Sequence, residues 1–254
     1  LLDWNALQCS ASAKAYSALG NEKYKQAAER NLKFLLSKFL KKEGSIALFH
    51  TYKNGQSQYD AFLNDYAYLI EAMINVYEIT FDTNLLRQAE RHTEYVLKNF
   101  LDADAKLFYF TSANQKDLIV RRKDLYDSAT PSGNSTMIHN LQKLGVLLGK
   151  ENYKNLAADM LLNMRDAIEK YPSSFGKFAT GMMNQVMGLN EIAIVGENAK
   201  NLANEINAEF VPNKVLMATE FENQEFPLLD GKISEEDTHI YICICIYVAH
   251  AVAF

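Results

Sequence analysis

The sequence predicts an all-α fold of stacked helical hairpins, and three observations predict it. First, the chain repeats itself. Trp4-Asn5-Ala6-Leu7, Asp65-Tyr66-Ala67-Tyr68 and Asn134-Ser135-Thr136-Met137 each open a helical pattern. Each pattern runs into a short turn and then a second helix, marked by Ala27-Ala28-Glu29, Gln88-Ala89-Glu90 and Ala157-Ala158-Asp159. Repetition at this scale means helical hairpins that share a core with their neighbours. Second, the first helix of a pair is apolar nearly all round and the second is amphipathic, so one is inner and the other outer. Third, the turns within pairs are short, whereas the connections 41–61 and 101–131 between pairs are long. Connections beyond about 12–15 residues are usually functional. The alternation brings the starts of the inner helices and both long loops to one end, and a site is to be sought there.

The elements follow in order. Residues 4–19 place Ala6, Leu7, Cys9, Ala11, Ala13, Ala15, Tyr16 and Leu19 around a helix, which reads as buried on most sides. Residues 22–40 set Tyr24, Ala28, Leu32, Leu35 and Phe39 on one face, with Lys25, Glu29, Arg30 and Lys33 opposite. In the first long loop, Ser45–Tyr52 and Gln56–Tyr59 flank Asn54-Gly55, a hairpin signal. Phe62, Tyr66, Leu69, Ile70, Met73, Ile74 and Tyr77 keep the helical spacing of a second inner helix. Leu86, Ala89, Tyr95, Val96 and Phe100 do the same for its outer partner. In the second long loop, residues 106–111 and 117–121 read as another strand pair. Residues 133–148, 152–170 and 174–188 read as further helices. After Gly188 the pattern changes: residues 191–196 and 214–219 read as strands around a helix at 199–208, a small βαβ excursion. Val195-Gly196-Glu197-Asn198 lacks the full glycine-rich dinucleotide fingerprint and reads as structural. The expected organisation is helical hairpins over 1–188, the excursion over 189–230 and a tail over 231–254.

Bulk properties exclude several classes. With 254 residues and 48% apolar content the chain can build a sizeable core. A net charge of −5 argues against nucleic-acid binding, which needs a basic stripe. Cys9, Cys243 and Cys245 form neither a disulfide framework nor zinc spacing, and no His-x-His, His-Glu-x-x-His or Cys-x-x-Cys occurs, so no metal and no cofactor are expected. The apolar run from Ile240 to Phe254 is shorter than the roughly 20 residues that span a bilayer, so no membrane partner is expected. It reads as a buried or frayed terminal segment. The chain opens at Leu1 with neither Met nor a signal peptide, which reads as a fragment or processed chain. A cytoplasmic location is expected.

The run Lys123-Asp124-Leu125-Tyr126-Asp127-Ser128-Ala129-Thr130-Pro131-Ser132-Gly133-Asn134-Ser135 is long and specific. With Trp4-Asn5, Phe62-Leu63-Asn64-Asp65-Tyr66-Ala67 and Phe108-Tyr109-Phe110-Thr111, it resembles the C-terminal part of the DUF255, or YyaL-like, thioredoxin-domain proteins, the relatives of spermatogenesis-associated protein 20. The resemblance runs from Trp4 to about Cys243. It implies a partial (α/α)6 toroid, similar to N-acylglucosamine 2-epimerases and six-hairpin glycosidases. A thioredoxin-like domain and the first toroid helices stand before this region in the family and are missing here. The ring would then be open and could self-associate. The apolar end after Ile244 departs from the family's polar continuation.

Candidate chemistry gathers at the long-loop end. Asp65 opens an inner helix and Asp127 precedes the next, so the two are the candidate catalytic carboxylates, acid and base across a mouth. Asp65 is equally a helix cap, with Asn64 as the other capping candidate. Trp4, Asn5, His50, Tyr66, Asp124, Tyr126, Ser132 and Asn134 are the candidate ligand contacts, for a small sugar or polyol. Ser132 also suits a cap, and Gly133 a close backbone approach. His50 and His139 could serve as the acid and base of a sugar epimerase. Two functional readings result. One is a carbohydrate-active toroid, a sugar epimerase/isomerase or a glycosidase-like enzyme. The other is a non-catalytic binding or scaffolding domain for the thioredoxin-like partner.

Overall fold

The computed structural model of the protein describes residues 1–42, 44–115, 119–233 and 237–244. The expectations for Cys245 and the rest of the apolar tail, and for Asp117 as a strand start, lie outside the described residues. The chain divides into two compact units, Leu1–Asn140 and Leu141–Phe254.

The first unit is built from helical hairpins. α1 (Leu2–Leu19) turns at Gly20, whose positive φ of 63° lets its N–H close on Tyr16 O, and α2 (Glu22–Lys38) starts with Asn21 capping Lys23 N. α3 (Leu63–Thr80) turns through Phe81, also left-handed, and Asp82 caps α4 (Thr83–Phe100). In α3 every residue is buried except Asn64, Glu71, Glu78 and Thr80, as expected of an inner helix. α4 buries one stripe, Leu85, Leu86, Ala89, His92, Thr93, Val96 and Phe100, as expected of an outer one. α1 departs from expectation. It packs α2, α3 and β1 (Phe49–Lys53) against one side, where Leu2, Ala6, Cys9 and Ala13 are buried, yet Trp4, Ala11, Lys14 and Leu19 are exposed. Burial drives the Cys9 thiol up to about 12, so it is an inert core group.

The long loops carry the expected short strands. β1 pairs with β2 (Gln56–Asp60) antiparallel through Asn54-Gly55, both at positive φ. In the second loop the pairing differs from the expected strand pair. β4 (Leu107–Phe108) turns back onto β3 (Leu101–Asp102) at the exit of α4, and Phe110 N–H then bonds Arg122 O at 2.8 Å. The turn at Lys106, with φ of 51°, makes the nearer partner reachable. α5 (Gly133–Leu147) begins in this unit.

The second unit holds α6 (Glu151–Lys170) and α7 (Gly176–Met187), followed by the βαβ excursion. β5 (Asn190–Val195) and β6 (Lys214–Thr219) run parallel around α8 (Ala199–Ala208). A third strand, β7 (His239–Ile244), pairs antiparallel to β5 from Val195↔His239 to Asn190↔Ile244. The start of the apolar run is therefore an edge strand, with Ile240 and Ile242 exposed. No helix among the described residues is long and apolar enough to cross a membrane.

Candidate functional site

The long-loop end of the first unit is assembled around Asp65. This residue is completely buried, and its carboxylate is met by donors from three elements. Phe62 N–H, at the start of its own helix, donates to Oδ2 at 2.8 Å, the returning half of a capping box. Asp3 N–H, from the first turn of α1, donates to Oδ1 at 3.0 Å. His50, on β1, brings its Nδ1 to 2.9 and 3.0 Å from the two oxygens. The starts of α1 and α3 and the first long loop thus meet at one carboxylate.

The electrostatics follow from burial and partners. The hydrogen bond to Asp65 is the largest cause that lifts His50 above the ordinary imidazole value; partial burial opposes it. Burial pushes the Asp65 carboxyl up, and His50 and Phe62 N–H pull it back. With Nδ1 committed to Asp65, Nε2 is the ring nitrogen left for another molecule, and it takes no partner among the described residues. The side chain of His50 is 19% exposed, against 1% for Asp65. Any ligand at this pair therefore meets the imidazole.

Ligand atoms of Asp3, His50 and Asp65 lie within 4.8 Å of one another, close enough to surround a metal ion. Sequence spacing gave no hint of this, because the three come from separate elements. The donors already on Asp65 count against an ion there: its two oxygens accept bonds from Phe62, Asp3 and His50 together.

The second long loop meets the start of α5 in the same unit. Asp127 Oδ1 accepts from Ser132 N at 2.8 Å and from Ser135 Oγ at 2.6 Å, and Ser132 Oγ accepts from Ser135 N. Asp127 and Ser132 together cap α5. Tyr68 reaches this loop, donating its hydroxyl to Pro131 O. Burial pushes that hydroxyl up to about 12, opposed by a hydrogen bond with Thr130 and helped by the charges of Asp3, Glu71 and Asp127.

The remaining sequence candidates divide by exposure. Trp4 is 66% and Tyr126 65% exposed, so both offer open ring faces. Asn5 is half-buried and donates its side-chain amide to Leu1 O. Asp124 is half-buried; its backbone carbonyl accepts from Asn134. Three candidates have no surface to give a ligand, and the expectation for them is corrected. Tyr66 is buried, stacked on Tyr95 at 5.2 Å, and its hydroxyl accepts from Leu48 N. Asn134 is fully buried and clamps Phe108 at both its N–H and its carbonyl, at 2.7 and 2.9 Å. Ser132 is buried in its cap. Gly133 serves packing as well: a Cβ there would stand 2.5 Å from Asn64 Oδ1 and 2.8 Å from Leu63 Cγ.

No protein-family model matches the chain. The chain resembles spermatogenesis-associated protein 20. It is 28% identical to the rat protein across 93% of the chain, and it spans about a third of the length of the curated relatives it matches. Solved structures give the fold. A GH76 alpha-mannanase from Bacteroides thetaiotaomicron aligns over 95% of the chain and 64% of its own, with a TM-score of 0.56 and 18% identity. A cellobiose 2-epimerase from Bacillus thermoamylovorans aligns over 63% and 42%, with a TM-score of 0.53 and 14% identity. The fold is that of α/α toroids, and its structural neighbours are sugar epimerases and glycosidases.

Proposed function

We propose that the long-loop end of the first unit is a sugar site in which His50 moves a proton, in the manner of a sugar epimerase or isomerase. The observation that carries this reading is the His50–Asp65 pair. A buried carboxylate fixes Nδ1, sets the tautomer and leaves Nε2 with no partner among the described residues. The hydrogen bond to Asp65 lifts His50 above the ordinary imidazole value, and an imidazole oriented this way suits removal and return of a proton next to a carbonyl. Trp4, beside Asp3, supplies an exposed ring face for a sugar. Asp65 acts through the imidazole, as a positioning residue. A glycosidase-like reaction is the weaker form of the reading. It needs two carboxyls free to meet the glycosidic bond, whereas Asp65 is buried and Asp127 bonds the start of α5.

The second reading is a binding or scaffolding domain that partners a thioredoxin-like domain. The double use of Asp65 as cap and as His50 partner favours it only if His50 proves silent. One experiment separates the readings. The full-length protein is incubated in deuterated water with a panel of mono- and disaccharides and followed by proton NMR. Epimerisation or isomerisation places deuterium next to the carbonyl, and His50→Gln abolishes it. Hydrolysis instead releases new reducing ends. Ligand binding with neither exchange nor cleavage leaves the binding reading standing.

A further inference from the structure

We propose that the sugar bound at this site carries an anionic group, a carboxylate or a phosphate, and that Arg122 reads it. The inference rests on the sugar-site reading and adds the class of sugar.

Three consecutive cations, Arg121-Arg122-Lys123, lie beside Tyr109-Phe110, joined to it by the Phe110 N–H to Arg122 O bond. Their contacts divide them between two neighbouring rings. Arg121 and Lys123 go to one ring, and both are spent there. Arg121 donates to Thr111 O and Asn99 O and lies 4.1 Å from the Tyr109 ring centroid. Lys123 pairs with Asp102 at 2.7 Å over the same ring. Arg122 goes to the other ring. Its guanidinium rests 5.3 Å from the Phe110 centroid and has no hydrogen-bonding or ionic partner among the described residues.

That ring leads to the imidazole. Phe110 stacks on Phe62 with centroids 4.7 Å apart and planes 13° apart, and Phe62 meets His50 edge-on at 5.0 Å. Arg122 and His50 therefore stand at the two ends of one run of rings. His50, Phe62 and Phe110 are half-buried and Arg122 is exposed, so the run borders solvent along its length. The ring beneath it orients the guanidinium, and an oriented guanidinium grips carboxylate or phosphate oxygens in pairs. A cation held this way, with no partner among the described residues, is set for an anion that comes from outside.

The test uses the full-length protein and calorimetric titration at low salt with glucuronate and galacturonate disaccharides, glucose 6-phosphate and neutral cellobiose. An anionic sugar is expected to bind at least about tenfold more tightly than cellobiose, with affinity falling as salt rises. Arg122→Gln is expected to erase that preference with no change in melting temperature, and Arg122→Lys to restore only part of it, since Lys lacks the paired donors. The uronate and phosphate arms distinguish the two sources of the anion. Wild-type protein that binds cellobiose as well as every anionic sugar overturns the proposal, and so does an Arg122→Gln variant that keeps the anionic preference. If anionic sugars bind through Arg122 but are never turned over, the catalytic reading fails and this one stands. If neutral sugars are turned over without anionic preference, the reverse holds.

Discussion

Replacing Asp65 by Asn separates the parts that this buried carboxylate plays. The charged group accepts from Phe62 N–H, Asp3 N–H and His50 Nδ1–H. Asn presents one oxygen and one NH2 group, so one set of donors is satisfied and the other meets a donor. A bond to a charged group contributes about 1.5–3 kcal/mol, and a buried donor left unpaired costs about 1–3 kcal/mol. The relief of burying a neutral group rather than a charge offsets part of this. A net loss of roughly 2–4 kcal/mol follows, which for a chain of this size lowers Tm by about 5–15 °C. Scanning calorimetry measures it. The same variant is read by the His50 imidazole in a proton NMR titration. In the wild type the midpoint is expected above the ordinary imidazole value because Asp65 holds the proton; in Asp65→Asn it should fall. The sign for stability follows. His50 has its folded value raised, so its contribution is fully present below the unfolded value of about 6.5 and is lost as pH rises through the raised folded one. The stability gap between wild type and Asp65→Asn therefore narrows above about pH 6.5. A variant that melts within about 2 °C of wild type, with an unmoved His50 midpoint, refutes the whole account of this pair.

Three further outcomes are expected. Gly133→Ala forces a Cβ to within 2.5 Å of Asn64 Oδ1 and should cost about 1–3 kcal/mol by urea denaturation, unlike Gly176→Ala, where the space is open. Asn134→Ala strips partners from both backbone groups of buried Phe108 and should cost roughly 2–5 kcal/mol, whereas a ligand contact would lower binding and leave stability alone. Trp4→Ala should weaken sugar binding at least about threefold with Tm held, because its ring is exposed in the free protein; equal affinity would remove Trp4 from the site.

The helical layout was legible because it is written in local periodicity. α3 and α4 differ in pattern as inner and outer helices must, and Asn54-Gly55 specified its own hairpin turn. The candidate site was only half legible. Loop lengths brought the starts of α1 and α3 and the first long loop together, but the pairing did not follow, since Asp3, His50 and Asp65 lie far apart in sequence and no spacing rule joins a strand residue to a helix start. Tyr66 and Asn134 looked like ligand contacts because polar and aromatic residues near a mouth fit either use. Burial decided against that, and burial depends on neighbours that single-sequence patterns do not identify. Arg122 was hidden inside a charge run that reads as a solvated face. Only the pairing of residues 110 and 122 shows that Arg122 parts from its neighbours.

At Asp65 the cap and the proposed functional role are compatible. A carboxylate taken wholly out of water is expensive unless donors surround it. The start of α3 supplies one donor at a fixed place, and the start of α1 supplies another. Those backbone bonds hold the carboxylate without using any solvent-facing group. Its remaining interaction, with His50, is then made from a rigid base, which is what orienting an imidazole demands. Because Asp65 is closed off, the outside meets only the edge of His50, flanked on one side by the Phe62–Phe110–Arg122 run. Capping thus fixes the carboxylate that holds the histidine, and on the proposed reading His50→Gln should lose turnover while keeping most of the stability that Asp65→Asn gives up.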